Sequence, residues 1–585
     1  MSPDRLRTAL QGTPFALAAL AATTVLRHLD DHPSVAVSRV LRAAPGALPR
    51  VASRWLRGTG WEPLALAAAG RREEARRAVD TLARTPRGRV GAAAATYALH
   101  DMAAAAAVLE STGTGDAADR YARALCLRTL GRLAEAESAA APDSDRRARR
   151  LRRRLAAELE MLRPTGRAPL PLGTGPATLS PGPGEDPVVL HLVTNALPET
   201  QAGYTTRTQG ILRALRAQGV DARVAPRAGF PVVDGHVRAR AEVTVDGVPY
   251  LRTLPLGLPL DVAALARADA DHRARLAERV GAGVLHAHSN YLNGRAALAA
   301  RDRTGVPVVY EVRGMLEETW RSRGGDADAD RYHLTRASET EVMRSADAVV
   351  VISEVLRQEV LDRGVDPARV LLVPNAVDDR FLQEPPDPTA LREQLGIGRD
   401  DVLVGTISTL NDYEGLDVLV DAIGLLRAEG DPVRLLVVGS GPAASRLRDR
   451  ARTLGDGVAV LPGRVPFADV HRYHAALDVF AVPRLDLPVT ALVPPLKPLE
   501  AMASGRPVVG SDLPPLREIV RDGETGALAR PGDPEALAAA LAGLVREPDR
   551  RRRYGRRARE IVLAERTWAH AAQRYRGLYR ALHDV

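Results

Sequence analysis

The chain has 585 residues, of which 45% are hydrophobic, and its net charge at pH 7 is +9. This length predicts about three or four domains with a sizeable core, and no run reaches the ~20 apolar residues that a bilayer span requires. The single cysteine, Cys126, excludes a disulfide framework and a multi-cysteine metal site, and it fits a reducing compartment.

Positive charge is concentrated in the N-terminal third. Residues 1–180 contain 28 Arg and 17 acidic residues, a net charge of +11, so the remainder of the chain is close to −2. This asymmetry predicts that the N-terminal module faces an anionic partner, either a membrane surface or a polyanionic polymer. An Arg-rich composition bias is the alternative. The apolar run 13–26 lacks a small-residue cleavage site, which favours a packed helix over a signal peptide.

Residues 1–162 are rich in Ala, Leu and Arg with helical periodicity and without strand signals. Three similar stretches align on Gly70, Asp101 and Gly131, near the period of stacked helix–turn–helix repeats. The pattern resembles degenerate tetratricopeptide-type repeats. Residues 163–187 are dense in Pro and Gly and predict a linker. We therefore expect that deleting residues 1–162 leaves the chemistry of the remaining chain largely intact and weakens attachment to a partner or an anionic membrane.

From Val188 onward, short Val- and Leu-rich segments alternate with amphipathic stretches, a pattern typical of parallel sheets covered by helices on both faces. Ten strands are predicted, which is too many for a single sheet of ordinary size. We predict an α/β fold with two doubly wound, Rossmann-like domains at 188–382 and 383–566. The ten predicted strands are VVLHLV, GVLHAH, VPVVYEV, DAVVVIS, VLLVP, VLVGTIS, VRLLVVG, VAVLPG, VFAVPR and RPVVGSD.

Candidate ligand-binding residues follow several strands of the first domain. Gly203 lies where a loop turns into a helix, so backbone N–H groups there can approach a ligand at a positively polarised helix start. His288 ends the strand GVLHAH, where open α/β sheets bind ligands, and His286 is expected to point the opposite way. Arg313 and Glu317 follow another strand and predict a polar ligand wall; a solvated first helical turn is the alternative for Glu317.

The second domain contains the only lysine of the chain, Lys497, beside 80 arginines. It precedes Glu500 by three residues at the predicted start of a helix. A compact ammonium there could neutralise a diphosphate together with Arg484, and Glu500 could accept hydrogen bonds from ribose hydroxyls. A simple Lys497–Glu500 salt bridge is the alternative. Gly439 and Gly441 form a Gly-rich turn suited to close approach by a base or phosphate.

Several ordered motifs of residues 188–585 resemble the retaining GT-B glycosyltransferases of family 4, also called group 1. They are LVPNAVD, LLVVGSGP, LPGRVPFADVHRYHAALDVFAVPR, KPLEAMASGRPVVGSDLPPLREIV and DGETGALARPGDPEAL. The resemblance implies transfer of a sugar from a nucleoside diphosphate sugar to an acceptor hydroxyl, with retention at the anomeric carbon, in glycan or cell-envelope polysaccharide synthesis. It also implies a terminal helix, 567–585, that returns to the first domain with Trp568 as its anchor.

The resemblance carries roles to individual residues. It implies Lys497, Arg484 and His288 as catalytic residues and Arg313 and Glu317 as acceptor contacts. The implied donor-binding residues are Gly203, Thr409, Glu414, Gly439, Gly441, Arg464, Leu496 and Glu500.

Two departures from the family pattern concern charge. Thr409 and Glu414 occupy the positions where members commonly carry Arg and Lys, and Leu492 replaces the first of two paired glutamates. We interpret this as an alternative arrangement of charged residues, in which Lys497 and Arg484 neutralise the diphosphate. A decayed, inactive enzyme is the competing interpretation.

We expect neither cofactor nor metal, because the resemblance implies metal-independent chemistry; the carboxylates of DADAD, 326–330, sit in a Gly-flanked loop. The expected partners are a nucleotide-sugar donor, a glycan or lipid-linked acceptor, and a protein partner or anionic membrane surface through residues 1–162, with no nucleic acid. The expected location is cytoplasmic, at the inner face of the membrane. Two other functions stay open: a nucleotide-sugar-binding assembly protein and a GT-B nucleotide-sugar epimerase.

Overall fold

The structure, a computed structural model, describes residues 13–43, 47–114, 116–141, 145–171 and 186–583. Its N-terminal part is built from helices. Within those ranges they are α1 (Pro14–Asp31), α2 (Pro33–Ala43), α3 (Ala47–Trp55), α4 (Glu62–Ala68), α5 (Arg72–Ala83), α6 (Pro86–Leu99), α7 (Met102–Glu110), α8 (Ala117–Thr129), α9 (Leu133–Ala140) and α10 (Arg146–Leu162).

The pairs α4–α5, α6–α7 and α8–α9 are helical hairpins with left-handed turn residues. Gly70, His100 and Gly131 have φ values of 81°, 54° and 80°, a conformation that glycine adopts without strain. Asp101, the middle residue of the sequence alignment, instead caps α7, because its Oδ1 accepts a hydrogen bond from the N–H of Ala104 at 3.1 Å. The hairpins are present, and their assignment to the tetratricopeptide family stays a prediction.

The first sheet has eight strands in the order β3-β4-β2-β1-β5-β6-β7-β8, parallel except for the antiparallel pair β3–β4. They are β1 (Val189–Val193), β2 (Ala222–Pro226), β3 (Glu242–Val245), β4 (Val248–Leu251), β5 (Val284–His288), β6 (Val308–Val312), β7 (Ala348–Val351) and β8 (Val370–Leu372). The helices of this domain are α11 (Gly203–Ala217), α12 (Val262–Val280), α13 (Tyr291–Thr304), α14 (Leu316–Arg321), α15 (Asp330–Ser345) and α16 (Glu354–Asp362).

The second sheet has six parallel strands in the order β11-β10-β9-β12-β13-β14. They are β9 (Val402–Ile407), β10 (Val433–Val438), β11 (Ala459–Gly463), β12 (Val479–Val482), β13 (Val508–Ser511) and β14 (Gly526–Ala529). The helices that follow β8 are α17 (Thr389–Gln394), α18 (Leu416–Ala428), α19 (Ala444–Ala451), α20 (Val470–Ala476), α21 (Pro488–Leu492), α22 (Lys497–Ala503), α23 (Pro514–Arg517), α24 (Pro534–Arg546), α25 (Pro548–Glu565) and α26 (Trp568–His583).

The predicted fold class, two doubly wound α/β domains after an all-α region, is confirmed, and each of the ten predicted strands is present. Four further strands escaped prediction. The hairpin β3–β4 lies at a sheet edge and is half exposed, so its residues alternate and lack a continuous apolar run. The segments that form β2 and β14 are short and contain Arg, Pro or Gly.

The chain crosses between the two sheet domains twice. The first crossing follows β8 and the second joins α25 to α26. The two crossings run side by side, since the N–H of Val377 donates to the carbonyl of Arg566 at 2.9 Å and Val377 bridges Thr567. Beyond the second crossing, α26 packs on α11 of the first domain, with Trp568 buried. A Cβ on Gly210 would lie 2.4 Å from the Trp568 ring, so only glycine fits beneath it.

The helical region is not separable from the first sheet domain. One hydrophobic core contains side chains of α4–α10 together with those of the first sheet and its helices. At the junction, buried Glu158 of α10 accepts from the Nε of Arg128 at 2.8 Å and also pairs with Arg331 of α15. Deleting residues 1–162 would expose this core to water, contrary to the expectation from sequence.

The predicted linker, 163–187, is described only in part, because residues 172–185 lie outside the described ranges. Its first residues are held on the first sheet domain. The N–H groups of Thr165 and Arg167 donate to Glu341 at 2.8 and 2.9 Å, and Leu170 donates to the carbonyl of Arg344 at 3.0 Å. In the described part of the chain, no helix has the length and apolar character that crossing a membrane demands.

Candidate active site

A cavity of about 540 Å³ lies between the two sheets, at the carboxyl ends of β1, β9 and β12. Its walls come from both domains. Most of the site residues predicted from sequence line it: Gly203, Arg313, Thr409, Glu414, Gly439, Arg464, Arg484, Leu496, Lys497 and Glu500. The position agrees with the general rule that doubly wound sheets bind ligands beyond the carboxyl ends of their strands.

Lys497 stands at the first position of α22 and faces the cavity. Its Nζ donates to both carboxylate oxygens of Glu500, at 2.9 and 3.1 Å, and its side chain is 33% exposed. The salt bridge considered from sequence is therefore present. It is not an ordinary surface pair, since Glu500 is buried and its Oε2 lies 3.2 Å from Nε2 of buried His474. An ammonium has three N–H donors, so one remains for a ligand.

Arg484 follows β12 and is also paired. Its Nε and Nη2 donate to the two carboxylate oxygens of Glu414 at 3.1 and 2.9 Å, and its Nη1 donates to the carbonyl of Val493 at 2.9 Å. Glu414 stands where family members commonly carry a cation, and Arg484 was expected to replace that cation. The charges of these two residues neutralise each other in the cavity wall. Glu414 orients the guanidinium, and much of its positive charge is offset before any donor arrives.

Five cationic side chains line the cavity, against the two carboxylates of Glu414 and Glu500. Arg464 differs from the other cations, because no described carboxylate lies within ion-pair distance of it. Its Nη2 instead donates to Oε1 of Gln201 at 3.2 Å, reaching from the second domain to the loop before α11. Arg464 and Lys497 are therefore the cations best placed to meet a diphosphate.

The glycines at and near the cavity are required for different structural reasons. A Cβ on Gly203, the first residue of α11, would lie 3.4 Å from Leu496, so the starts of α11 and α22 meet across the cavity. Gly415 has a φ of +65°, and a Cβ there would lie 1.9 Å from the carbonyl oxygen of Pro483. A Cβ on Gly439 would lie 1.9 Å from the carbonyl oxygen of Ser408. These two glycines let the loops after β9, β10 and β12 pack closely.

Gly441 does not line the cavity, which corrects the expectation that it contacts the donor. A Cβ on it would lie 2.4 Å from the carbonyl oxygen of Leu410, so this glycine serves loop packing.

A buried ionic network stands behind the cavity, centred on Glu311 of β6. Oε1 of Glu311 accepts from Arg207 at 2.9 Å and from Arg313 at 2.6 Å, while Oε2 accepts from the hydroxyl of Tyr575 at 2.6 Å. Burial opposes ionisation, but the two guanidiniums outweigh it and hold the pKa of Glu311 well below its usual range. The network joins α11, β6 and α26, and sequence reasoning missed Arg207, whose only signal was its place one turn after Gly203.

The ring of His288 is buried and does not line the cavity, contrary to expectation. It stacks on His286 at 4.6 Å, because residues two apart on a strand share a face; the expectation that they point apart is wrong. His288 Nε2 lies 2.9 Å from Nδ1 of His191, and burial lowers the pKa of His288.

The rings of His191, His286 and His288 bring nitrogen atoms within 4.8 Å of one another, the spacing of a potential metal site. Hydrogen bonds engage one nitrogen of each ring, whereas Nε2 of His191 and Nδ1 of His288 are buried without a hydrogen-bond partner among the described residues. His191 and His288 face each other, and Nδ1 of His286 lies 2.6 Å from the hydroxyl of Tyr579. Rings of His286 and His288 that stack with an interplanar angle of 15° do not converge on one point as tetrahedral ligands do.

Glu317 is the remaining correction. The structure buries it on α14, where its Oε1 accepts from Nη2 of Arg363 at 2.6 Å, and it does not line the cavity. Neither an acceptor contact nor a solvated helical turn fits this position.

We expect the Glu500 carboxylate to make stability depend on pH. Burial would raise its pKa, but Lys497 and His474 bring it to about 2, below the ordinary 4.5. Because the folded-state pKa is the lower one, the stabilisation is complete above about pH 4.5 and is lost as the pH falls toward 2. The advantage of the wild type over Glu500→Gln in unfolding free energy should shrink by roughly 2 kcal/mol between pH 5 and pH 3.

Urea unfolding at the two pH values measures this difference. Glu384→Gln, at a carboxylate that is 91% exposed, is the matched control and should show no such change. A pH-independent gap between wild type and Glu500→Gln would contradict the assigned pKa.

Known families match both sheet domains. Residues 202–376 match the family described as glycosyl transferase 4-like domain, and residues 401–547 match the family described as glycosyl transferases group 1. Neither match includes the helical region. Solved structures agree on the fold: sucrose-phosphate synthase from Thermosynechococcus elongatus superposes with a TM-score of 0.54 at 23% identity, covering 67% of this chain and 98% of that one.

Anabaena HepE in complex with UDP-glucose superposes with a TM-score of 0.53 at 18% identity, covering 66% of this chain and 97% of that one. Among curated proteins, D-inositol 3-phosphate glycosyltransferase of Nocardia farcinica is 34% identical over 299 residues, which cover 49% of this chain and 64% of that enzyme. Alpha-maltose-1-phosphate synthase of Mycolicibacterium smegmatis is 31% identical over 317 residues, covering 51% of this chain and 79% of that enzyme. The chain belongs to the group 1 glycosyl transferases.

Proposed function

We propose that this protein transfers a sugar from a nucleoside diphosphate sugar to an acceptor hydroxyl, with retention at the anomeric carbon. The observation that carries the proposal is the interdomain cavity, where the starts of α11 and α22, Arg464 and Lys497 converge. Anionic ligands favour this setting, because unpaired backbone N–H groups at a helix start add to the field of the cations.

In this reaction the bond between the anomeric carbon and the diphosphate oxygen breaks, and the acceptor oxygen bonds to the same carbon from the same face. The acceptor proton passes to the departing diphosphate, so no protein nucleophile is required. Negative charge grows on the leaving group in the transition state, and donors already in place there lower the barrier more than they stabilise the ground state.

The roles proposed for individual residues follow their placement. Lys497 and Arg464 meet the diphosphate, and Glu500, held by Lys497, accepts from ribose hydroxyls. Arg484 positions the cavity wall through Glu414. Arg313 faces the acceptor side, and His288 is a positioning residue that acts through Glu311, 3.9 Å from its Nδ1.

We infer a lipid-linked or polymeric glycan of the cell envelope as the acceptor, at the cytoplasmic face of the membrane. The basic helical region supports this inference, since a net charge of +11 over residues 1–180 suits an anionic partner.

The test is a screen of UDP-, GDP-, ADP- and TDP-sugars for thermal stabilisation of the full chain, followed by an assay of nucleoside diphosphate release with the stabilising donor. We expect one donor to raise the melting temperature and acceptor-dependent release of its nucleoside diphosphate. Stabilisation without release would indicate a binding protein. A sugar that changes while it stays attached to the nucleotide would indicate an epimerase; either result contradicts transfer.

A further inference from the structure

Exposed apolar side chains are concentrated in the first three helices. Of the fourteen large apolar residues exposed in the described part of the chain, eight lie between positions 15 and 55. Scattered exposed apolar residues are normal on a protein surface, but such a concentration marks an interaction site. They are Phe15, Val25, Leu26, Leu29, Val40, Leu48, Val51 and Trp55.

On α1 these side chains form one stripe. Among the α1 side chains that the structure describes, the exposed positions after Pro14 are Phe15, Ala18, Ala22, Val25, Leu26 and Leu29, which recur at helical spacing and include no charged residue. The opposite side of α1 is already occupied. Leu20 is fully buried and packs with Val232, Val233, Leu254 and Leu258 of the first sheet domain. The helix is therefore docked by one face and presents a second apolar face outward.

A second stripe of the same kind lies on α3. Leu48, Val51 and Trp55 are spaced three and four residues apart, and Trp55 is 84% exposed. Arg54 and Arg57, both exposed, flank it. Tryptophan beside arginine on a helix with an outward apolar face is typical of helices that lie in the interface of a bilayer.

Charge in this segment is strongly positive. Residues 14–57 contain six arginines and only two acidic residues, Asp30 and Asp31. At the end of α1, burial together with the charges of Arg39 and Arg27 lowers the pKa of His28 to about 4, against the opposing effect of Asp31 and Asp234. Arg227 of the first sheet domain adds to the same positive field at Arg27. The apolar stripes thus stand in a cationic surround.

We propose that the outer faces of α1 and α3 dock this protein onto an anionic lipid bilayer, with the apolar stripes inserted at the headgroup level and the arginines on the lipid phosphates. A second copy of the chain fits less well, because a shared face would bring arginine against arginine. Docking onto a membrane goes beyond the transfer reaction proposed above. Vesicle binding needs neither donor nor acceptor, so the docking proposal and the transfer proposal can fail independently of each other.

The docking face has a geometric consequence. Since the inner face of α1 packs on the first sheet domain, a bilayer bound to its outer face lies beside that domain.

The experiment is flotation of the full chain with vesicles of phosphatidylcholine alone and with about 30% phosphatidylglycerol. We expect binding to the anionic vesicles and weakening at high salt, because charges at the surface are screened. Leu26→Gln/Trp55→Gln should lower the bound fraction at subsaturating lipid by at least about tenfold. Leu425→Gln, an exposed leucine on α18 of the second sheet domain, is the matched control and should bind as the wild type does.

Melting temperatures establish that the variants fold, as expected for exposed positions. The proposal is overturned if the wild type does not float, if anionic lipid makes no difference, or if the double variant floats unchanged. It is equally overturned if light scattering shows a dimer that the double variant abolishes, because a second copy would then cover this face.

Discussion

Replacing Lys497 with Ala is expected to lower turnover by at least ~100-fold, the usual effect of removing a donor that meets charge developing in the transition state. The third N–H of its ammonium is the donor in question, since the other two are directed at Glu500. Steady-state kinetics with the donor identified by the thermal screen measure the change. Lys497→Arg should not restore turnover, because a planar guanidinium held by Glu500 presents its donors in a different geometry.

The structure adds a control that separates chemistry from folding. Lys497→Ala leaves the buried Glu500 carboxylate without its counter-ion, which itself destabilises the protein. Lys497→Ala/Glu500→Gln removes that charge and should recover stability while turnover stays low. Arg472→Ala, at an exposed cation on neighbouring α20, should leave both unchanged. Normal kinetics in a folded Lys497→Ala protein would remove Lys497 from the mechanism.

Arg207→Met should lower the free energy of unfolding by about 3–5 kcal/mol, the range for breaking a buried ion pair. Arg207 is almost fully buried and donates to five acceptors, contributed by three separate parts of the chain. These acceptors are Glu311 Oε1, the carbonyls of Val373 and Pro374, Asn375 Oδ1 and the Tyr575 hydroxyl. Methionine fills similar volume but satisfies none of them, so each loses a hydrogen bond in a low-dielectric interior.

Denaturant unfolding followed by tryptophan fluorescence measures this loss, because the Trp568 ring lies 5.6 Å from the Arg207 guanidinium and reports locally. Arg213→Met on the same helix is the matched control. Arg213 is partly exposed and pairs with Asp379 at 2.9 Å, so its loss should cost below about 1 kcal/mol. Equal effects of the two substitutions would show that the Glu311 network does not hold the first domain together.

The sequence predicted those parts of the fold that local pattern encodes. Continuous apolar strands such as VVLHLV identified the buried centre of both sheets, and glycine at Gly70 and Gly131 marked turns between helices. The edge hairpin β3–β4 and the docking of the helical region on α12, α13 and α15 escaped prediction. These depend on contacts between distant segments, for which one strand or one helix carries no local signal.

The candidate site likewise contains some features that local sequence predicts and others that depend on contacts between distant segments. Ten of its predicted residues line the cavity. Six of them were predicted from strand ends and helix starts that can be recognised locally, whereas Thr409, Glu414, Arg464 and Leu496 were implied by the family resemblance. Pairings could not be foreseen in the same way. Glu414 and Arg484 are 70 residues apart, and Glu317 turns inward only because Arg363, 46 residues later, is there to meet it. The hub at Glu311 likewise requires Tyr575, from the last helix of the described chain.

The paired crossings at Val377 and Arg566 bring both connections between the two sheet domains to one place. Because the two connections are hydrogen-bonded to each other there, this place is the natural hinge for a rotation of the second sheet domain relative to the first. A rotation about this place would widen the cavity most at the side farthest from the crossings.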